Sequence, residues 1–429
     1  MPAATPASLD HWLAHLECLH PRGQAGIELG LERVRQVSQA LRQSQSCPVI
    51  TVGGTNGKGS TCALLEQMLL AAGYRVGVYT SPHLLRYNER VRIDAAPVGD
   101  AALCAAFARV EAARRAVALT YFEFGTLAAW EVFAAAELDV IILEVGLGGR
   151  LDATNIYDAD CAILTTVALD HMDFLGSTRE AIGFEKAGIC RAGRPLVCGD
   201  ADPPASVIDQ CRRASAEFRG IGSAFGYLVQ DGQWQYWESG GRRLGGLAFP
   251  ALRGNTQLHN ASCAIAALDI LRDRLPVTAQ DIRRGLAEVS IAGRCQVLPG
   301  RPQIVLDVAH NPQAAAALAH SLGGMGFART TWGVFGMMAD KDIPGVIEAM
   351  RLRVDRWMPC DLPGARAASA SQLALALAKL GAGGTAQEFA TPADALRHAL
   401  ENAEGDDRIL AFGSFLTVAG VMRYLNRDD

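Results

Sequence analysis

Short apolar runs alternate with stretches whose apolar residues recur at helical spacing along most of the 429-residue chain. PVITV, YRVGVYT, DVIILEV and CAILTTVAL read as strands, while CALLEQMLLAAG, ending at Gly73, and GTLAAWEVFAAAEL read as helices. Two further helices come first, SLDHWLAHLECLH and ELGLERVRQVSQALRQS, joined by the turn PRGQAGI. Such alternation predicts a parallel sheet covered by helices on both faces. Residues 219–250 break the pattern: GYLVQDGQWQYWESGGRRLGGLAF carries aromatics, Gly pairs and an Asp-Gly turn, and predicts β-hairpins. NASCAIAALDILRDRL is a helix. Gly and Pro cluster in IAGRCQVLPGRPQ, residues 291–303, and the alternation then restarts. IVLDVAH, TWGVFGM, RWMPC and RILAFGS read as strands, with AAAALAHSL, PGVIEAMRL, ASQLALALAKL, PADALRHALENA and TVAGVMRYL as helices. The expected fold is α/β: a P-loop parallel-sheet N-terminal domain over residues 1–292, then a smaller Rossmann-like C-terminal α/β domain over 293–429.

Composition narrows the function classes. With 40 basic and 45 acidic residues and a formal net charge of -5, there is no electrostatic case for nucleic acid or an anionic membrane as partner. Eleven scattered cysteines, with no CxxC pair and no Cys/His cluster at zinc spacing, suit reduced thiols in a cytoplasmic protein. The start, MPAATPASLDHWLAHLECLH, lacks the basic segment and long apolar run of a secretory leader. No stretch reaches the length of a membrane span. No long exposed apolar stripe demands an oligomer, so a monomer is expected.

The chemistry begins at TVGGTNGKGST, residues 51–61, directly after an apolar strand. Glycines let successive backbone N–H groups point into one concavity, and the following helix adds its positive end. Lys58 is then placed to reach terminal phosphates, and Ser60 or Thr61 to face Mg²⁺. The stretch departs from the plain Walker expression, because position 52 is Val and Gly59 stands between Lys58 and the hydroxyl. SPHL, residues 81–84, follows another strand end, where ligands bind in open α/β sheets. Glu144 ends the strand DVIILEV ahead of a second Gly-rich turn; it is either a surface carboxylate or a hard oxygen ligand for Mg²⁺. His171 of LDHMDFLG ends a further strand and is structural or a ligand. Lys186 of EKAGI sits among apolar residues; read on its own it is a salt-bridged lysine. Phe122 and Phe124 of TYFEFGT alternate as on a strand face, which reads as core.

Together GTNGKGS, YTSPHL, ERVRI, LTYFEFGTLAAW, EVGLGGRLDATN, ALDHMDFLG, FEKAGI, LDVAHNP, GMMADKD and FGSF resemble the folylpolyglutamate synthase family, one of the ATP-dependent amide ligases that include the Mur ligases. LTYFEFGT and the opening helices are most similar to its bifunctional bacterial members. The resemblance implies that ATP phosphorylates the carboxylate of 7,8-dihydropteroate. L-glutamate then displaces phosphate to form an amide, and the same cycle extends folates at the γ-carboxyl. It implies ATP, two Mg²⁺ ions, room for a monovalent cation, and a carbamylated Lys186. Gly54, Thr55, Asn56, Gly57, Lys58, Gly59 and Ser60 would hold the phosphates. Ser60, Ser81 and Glu144 would bind one Mg²⁺, with His171, the Lys186 carbamate and a shared Glu144 on the other. Asn260 would meet the nucleotide, Arg294 the γ-phosphate, and Asp307 and His310 the nucleotide and glutamate. Ser414 is a weaker candidate on the glutamate side. Thr120, Phe122, Asp152 and Ala153 match pteroate-binding positions.

Three other readings compete. Against a synthase without the dihydropteroate activity stand Thr120, Phe122 and Asp152, which by the resemblance would serve the pteroate ligand. A Mur-type peptide ligase would call for an additional domain ahead of the phosphate loop, where the two opening helices stand. A nucleotide-gated scaffold would bind ATP without making an amide, yet it would carry Lys58, Glu144, His171, Lys186 and Arg294 at a cost in stability.

Overall fold

The computed structural model describes residues 6, 8–21, 27–45, 47–230, 232–254, 256–382 and 386–426. The N-terminal stretch weighed as a leader, the turn PRGQAGI and the Asp231-Gly232 turn fall partly outside them. The chain forms two compact units, Met1–Phe249 with Leu258–Val289, and Pro250–Gln257 with Ser290–Asp429. No helix among the described residues is long and apolar enough to cross a membrane.

The first unit is built on strands β1 (Val49–Gly53), β2 (Val76–Tyr79), β3 (Val91–Ile93), β4 (Ala96–Pro97), β5 (Val140–Glu144), β6 (Cys161–Leu164), β7 (Pro195–Cys198) and β8 (Glu217–Gly220). They form one eight-stranded sheet in the order β4-β3-β2-β5-β1-β6-β7-β8. From β2 to β8 all neighbours are parallel, and β3 and β4 add antiparallel at one edge. Every residue of β1 and β5 is buried, as central parallel strands covered on both faces require. The CAILTTVAL run forms a strand only over Cys161–Leu164, because the chain beyond it turns towards the phosphate loop: Thr165 Oγ1 donates to the carbonyl of Asn56 at 2.7 Å.

One face is covered by the opening helices Leu9–Leu19 and Glu32–Leu41 together with Asp100–Arg114 and Tyr121–Ala134. Trp12, Phe107 and Phe124 meet edge to face or tilted at their centre, with Trp12–Phe107 centroids 5.8 Å apart and Phe107–Phe124 5.7 Å. The alternation of TYFEFGT misleads here, since the segment is the first turn of a helix. Thr120 is its N-cap, and Thr120 and Glu123 form a capping box: the Glu123 amide donates to Thr120 Oγ1 at 3.2 Å and the Thr120 amide to Glu123 Oε2 at 2.8 Å. The T-x-x-E spacing encodes that start, and it outweighs the two-residue alternation. Strands β9 (Phe225–Gln230), β10 (Gln233–Glu238) and β11 (Arg243–Leu247) form the antiparallel hairpins expected of residues 219–250.

The second unit carries β12 (Gln296–Leu298), β13 (Gln303–Leu306), β14 (Thr331–Phe335), β15 (Arg356–Pro359) and β16 (Arg408–Phe412) in the order β12-β13-β16-β14-β15. All pairs are parallel except β12 with β13. Its core holds Phe335, Trp357 and Phe412. Sequence pattern does not announce β12, whose three half-buried residues are too few to show a period.

In the first unit Trp130 lies flat on Tyr157, centroids 3.6 Å apart and planes within 5°, and its Nε1 donates to the Ser44 carbonyl at 3.3 Å. Trp130→Ala opens a cavity and is expected to cost about 3–5 kcal/mol. Urea unfolding checks this, and a loss under about 1 kcal/mol would show that the stack is dispensable.

Candidate active site

The C-terminal ends of four neighbouring strands, β2, β5, β1 and β6, deliver the polar groups, which is where ligands bind in open α/β sheets. Gly53 ends β1, and the loop of residues 54–57 leads into the helix Lys58–Ala71. Gly54 at φ +139° and Gly57 at φ +89° hold backbone conformations that a Cβ would strain. A Cβ on Gly54 would stand 1.9 Å from Thr165 Oγ1, and one on Gly57 2.5 Å from Asn260 Oδ1. The loop is clamped to the segment after β6. The Thr55 amide donates to Thr166 O at 2.7 Å, the Asn56 amide to Thr166 Oγ1 at 3.1 Å, and Thr55 Oγ1 to Ala168 O at 3.2 Å. Asn260, on the helix Thr256–Ile270, is buried against this loop, so the two residues of sequence-distant motifs meet.

Two amines converge on one oxygen. Lys58 Nζ donates to the carbonyl of Gly54 at 3.0 Å and of Thr55 at 3.3 Å, and Lys186 Nζ donates to the same Gly54 carbonyl at 3.1 Å. Lys186 lies in the last turn of the helix Arg179–Ala187 and is buried. That helix is tied to the Gly-rich turn after β5: the Arg150 amide donates to Glu185 O at 2.7 Å, and Asn155 Nδ2 to Gly188 O at 3.0 Å. Burial above all, and then the charge of Lys58, lower the Lys186 amine to about 7, against the opposite pull of Asp170 and Asp152. The salt-bridged lysine of the plain reading is therefore replaced by a buried amine next to a second one.

Glu144, the last residue of β5, is buried and not a surface carboxylate; its Oε2 accepts the Ser81 amide at 3.1 Å. Ser60 is buried on the first turn of its helix. His171 follows β6 at φ +51°, and its amide donates to Asp170 Oδ1 at 2.9 Å. Among the described residues no group of three or more His, Cys, Asp or Glu side chains is arranged to hold a metal. Glu144, the hydroxyls of Ser60 and Ser81 and the His171 ring are the side chains at these strand ends that could serve a cation, the oxygens being the hard donors among them.

Beside these groups lies a cavity of about 260 Å³ in the first unit. Ser81 and His171 line it, together with Thr120, Phe122, Asp152 and Ala153. Phe122 faces it half-buried, while Phe124 is core. Asp152 is buried and accepts from the Leu147 amide at 2.9 Å, the Thr154 amide at 2.9 Å and Thr154 Oγ1 at 2.6 Å. Burial raises its carboxyl above the usual range, opposed by those bonds. Glu28, Glu123, Tyr121 and Arg90 also line the cavity, and motif reading assigned them no role. ERVRI contained Arg90, but nothing in the linear order says which of its residues turns inward.

In the second unit Asp307 follows β13 and accepts the Cys295 and Ala309 amides, each at 2.7 Å. Burial raises its carboxyl, and Arg294 pulls it back. The Arg294 guanidinium stands 5.4 Å over the Phe415 ring, and His310 lies 6.3 Å from that ring. Ser414 caps the helix Phe415–Leu425, its Oγ accepting the Leu416 amide at 3.2 Å. Arg294, Asp307, His310 and Ser414 are thus brought together at the ends of β13 and β16, around a Phe415 that motif reading passed over. The DKD run is partly structural: Asp340 pairs with Arg366 and Asp342 caps the helix Ile343–Met350.

Comparison with known proteins matches residues 52–268 to the Mur ligase middle domain and 293–415 to the Mur ligase glutamate ligase domain. The chain is 44% identical over 425 residues to the dihydrofolate synthase/folylpolyglutamate synthase of Escherichia coli K12, covering 99% of this chain and 96% of that one. The E. coli structure in complex with DHPP and ADP superposes with a TM-score of 0.92 at 43% identity, covering 99% of each chain. A bifunctional folylpolyglutamate synthase/dihydrofolate synthase with Mn, AMPPNP and L-glutamate bound gives 0.90 at 45%, covering 98% of this chain and 100% of that one.

The Lys186 amine sets a pH dependence. Below pH 7 it is protonated in folded and unfolded chain alike. Between about 7 and the usual 10.5 the unfolded chain binds a proton that the folded chain does not, so stability rises with pH across that window. Thermal unfolding of CO₂-depleted protein at pH 7 and 9 is expected to show wild type gaining on Lys186→Met, by up to about 1.4 kcal/mol per pH unit. Parallel pH responses of the two proteins would show that the amine titrates elsewhere.

Proposed function

The chain belongs to the folylpolyglutamate synthase family of Mur ligases, and on that premise we propose that it is an ATP-dependent ligase joining L-glutamate to 7,8-dihydropteroate and to folylpolyglutamates. One observation carries this reading: the phosphate loop, Glu144 and the paired amines Lys58 and Lys186 meet at the C-terminal ends of the central strands, beside a cavity lined by Phe122 and Asp152.

The acceptor enters with its pterin in the cavity, its ring against Phe122 and its N–H groups towards Asp152, while Thr120 and Ala153 shape the wall. Its carboxylate oxygen attacks the γ-phosphorus of ATP, ADP leaves, and an acyl phosphate remains. The glutamate amino nitrogen then attacks the acyl carbon, a tetrahedral intermediate forms, and phosphate departs as the amide closes. Negative charge builds on the phosphoryl oxygens, so cations must stand ready there. Loop amides of residues 54–60 and Lys58 serve this need, Lys58 exchanging its bonds to the Gly54 and Thr55 carbonyls for phosphate oxygens. Asn260 takes the nucleotide, and Arg294, Asp307 and His310 act on the γ-phosphate, nucleotide and glutamate, with Ser414 on the glutamate side. In this reading residues 1–292 carry nucleotide and pteroate chemistry and 293–429 the glutamate-ligase part.

Ser60, Ser81, Glu144 and His171 would hold Mg²⁺, which supplies charge neutralisation at the transferred phosphoryl group. Lys186 joins them as a carbamate: its neutral amine adds to the carbon of CO₂ and releases a proton, exchanging a positive charge beside Lys58 for a negative one. An amine lowered to about 7 is deprotonated enough near neutrality to react.

ADP release with Mg·ATP and L-glutamate tests the reading, with dihydropteroate and tetrahydrofolate supplied separately. Turnover with both is expected; turnover with tetrahydrofolate alone would remove the dihydropteroate activity, and turnover with neither would remove the ligase. Phe122→Ala is expected to raise the KM for dihydropteroate about tenfold through lost stacking, and an unchanged KM would place the pterin elsewhere. Arg294→Ala should lower kcat far more than nucleotide affinity. In ¹³C-bicarbonate, wild type should show a carbamate carbon resonance that Lys186→Arg lacks.

A further inference from the structure

We propose that Arg90 recognises the α-carboxylate of the glutamate already present on a folate substrate, and so sets the enzyme's preference between its two acceptors. The inference rests on the ligase reading above and deepens it.

Arg90 is the one arginine or lysine among the described residues that line the cavity. It ends the short turn Tyr87–Arg90 just before β3, and its carbonyl accepts the Thr80 amide at 2.9 Å, next to Ser81. Its guanidinium is held on three sides. Nε donates to His83 Nδ1 at 2.8 Å, and the guanidinium carbon stands 5.3 Å over the Tyr87 ring and 5.5 Å over the Tyr121 ring. None of these neighbours is an anion, and no carboxylate of the described residues pairs with it. The planar fork is thereby pre-oriented, with the Tyr79 hydroxyl also against it, and none of its donors is taken by a carboxylate of the described residues.

The cavity's own carboxylates are already satisfied. Glu28 and Glu123 are both bound by Arg33, and Asp152 by backbone amides and Thr154. An anionic group entering the cavity meets these three carboxylates, and Arg90 is the one arginine or lysine on the lining that attracts it. Dihydropteroate has no such group, since its single carboxylate is the reacting one and must lie at the phosphate loop. A folylglutamate places its γ-carboxyl there instead, and its α-carboxylate, two methylenes behind, stays on the cavity side. Arg90, on the wall next to Ser81, is the cation available to that carboxylate. Bidentate pairing of a guanidinium with a carboxylate fits both charge and shape. Arg90 is thus a specificity residue for extension, outside the phosphoryl chemistry.

The test is ADP release by wild type, Arg90→Gln and Arg90→Lys with three acceptors: dihydropteroate, tetrahydropteroylmonoglutamate and the α-carboxamide of that monoglutamate. In Arg90→Gln the ratio of kcat/KM for monoglutamate over dihydropteroate should fall tenfold or more, through KM, with Arg90→Lys between it and wild type. Wild type should discriminate against the α-carboxamide by tenfold or more, and Arg90→Gln should not. A purely structural Arg90, or one that binds the reacting carboxylate, would lower both acceptors in parallel and leave the ratio unchanged, which overturns the inference. Equal use of acid and α-carboxamide by wild type overturns it even if the variants fail to fold. A wild type inactive with every acceptor overturns the ligase reading and this inference with it, whereas an active wild type with an unchanged ratio overturns this inference alone.

Discussion

The Gly54 carbonyl accepts from two lysine amines, and the design of the site follows from that crowding. Two full positive charges on one buried oxygen are costly, so one amine must lose its proton, change its chemistry or meet anions. Lys58 sits on the phosphate loop, where triphosphate oxygens are the natural counter-charge. Lys186 is the more deeply buried and gives up its proton near neutrality. The pair of like charges is thus relieved on one side, with Lys58 on the loop and a buried Lys186 whose amine is lowered to about 7.

Holding that pair in place takes much of the first unit. The loop is pinned to the segment after β6 through Thr165, Thr166 and Ala168, and the helix of Lys186 is pinned to the turn after β5 through Arg150 and Asn155. Nearby, a half-buried Arg92 pairs with the buried Glu66 at 2.8 Å and also donates to Thr80 Oγ1 at 3.1 Å. This braces the segment that leads to Ser81. In the cavity next door Arg33 pairs with Glu28 and Glu123, which leaves Asp152 and Arg90 as the lining's charged groups without an ionic partner among the described residues.

Much of this was legible in the linear chain. The glycine-rich turn after an apolar strand located the phosphate loop, because only glycine tolerates the backbone at positions 54 and 57. The hairpins of residues 219–250 followed from Asp-Gly and Gly pairs between aromatic runs. TYFEFGT was misread because a two-residue alternation also fits the first turn of a helix, where Phe124 turns to the core and Phe122 to the cavity. Its T-x-x-E capping signature was the stronger cue. The short strand β12 lacked enough residues to show any period.

The sequence by itself determined most of the elements, the place of the glycine-rich loop and the family, since these depend on local backbone preference and on motifs read in order. Only the tertiary structure decided that Glu144 and Lys186 are buried, that Lys58 and Lys186 share an oxygen, and that Arg90 faces a cavity whose acids are already bound. Those facts depend on desolvation and on distances between residues far apart in the chain, and spacing along a sequence encodes neither.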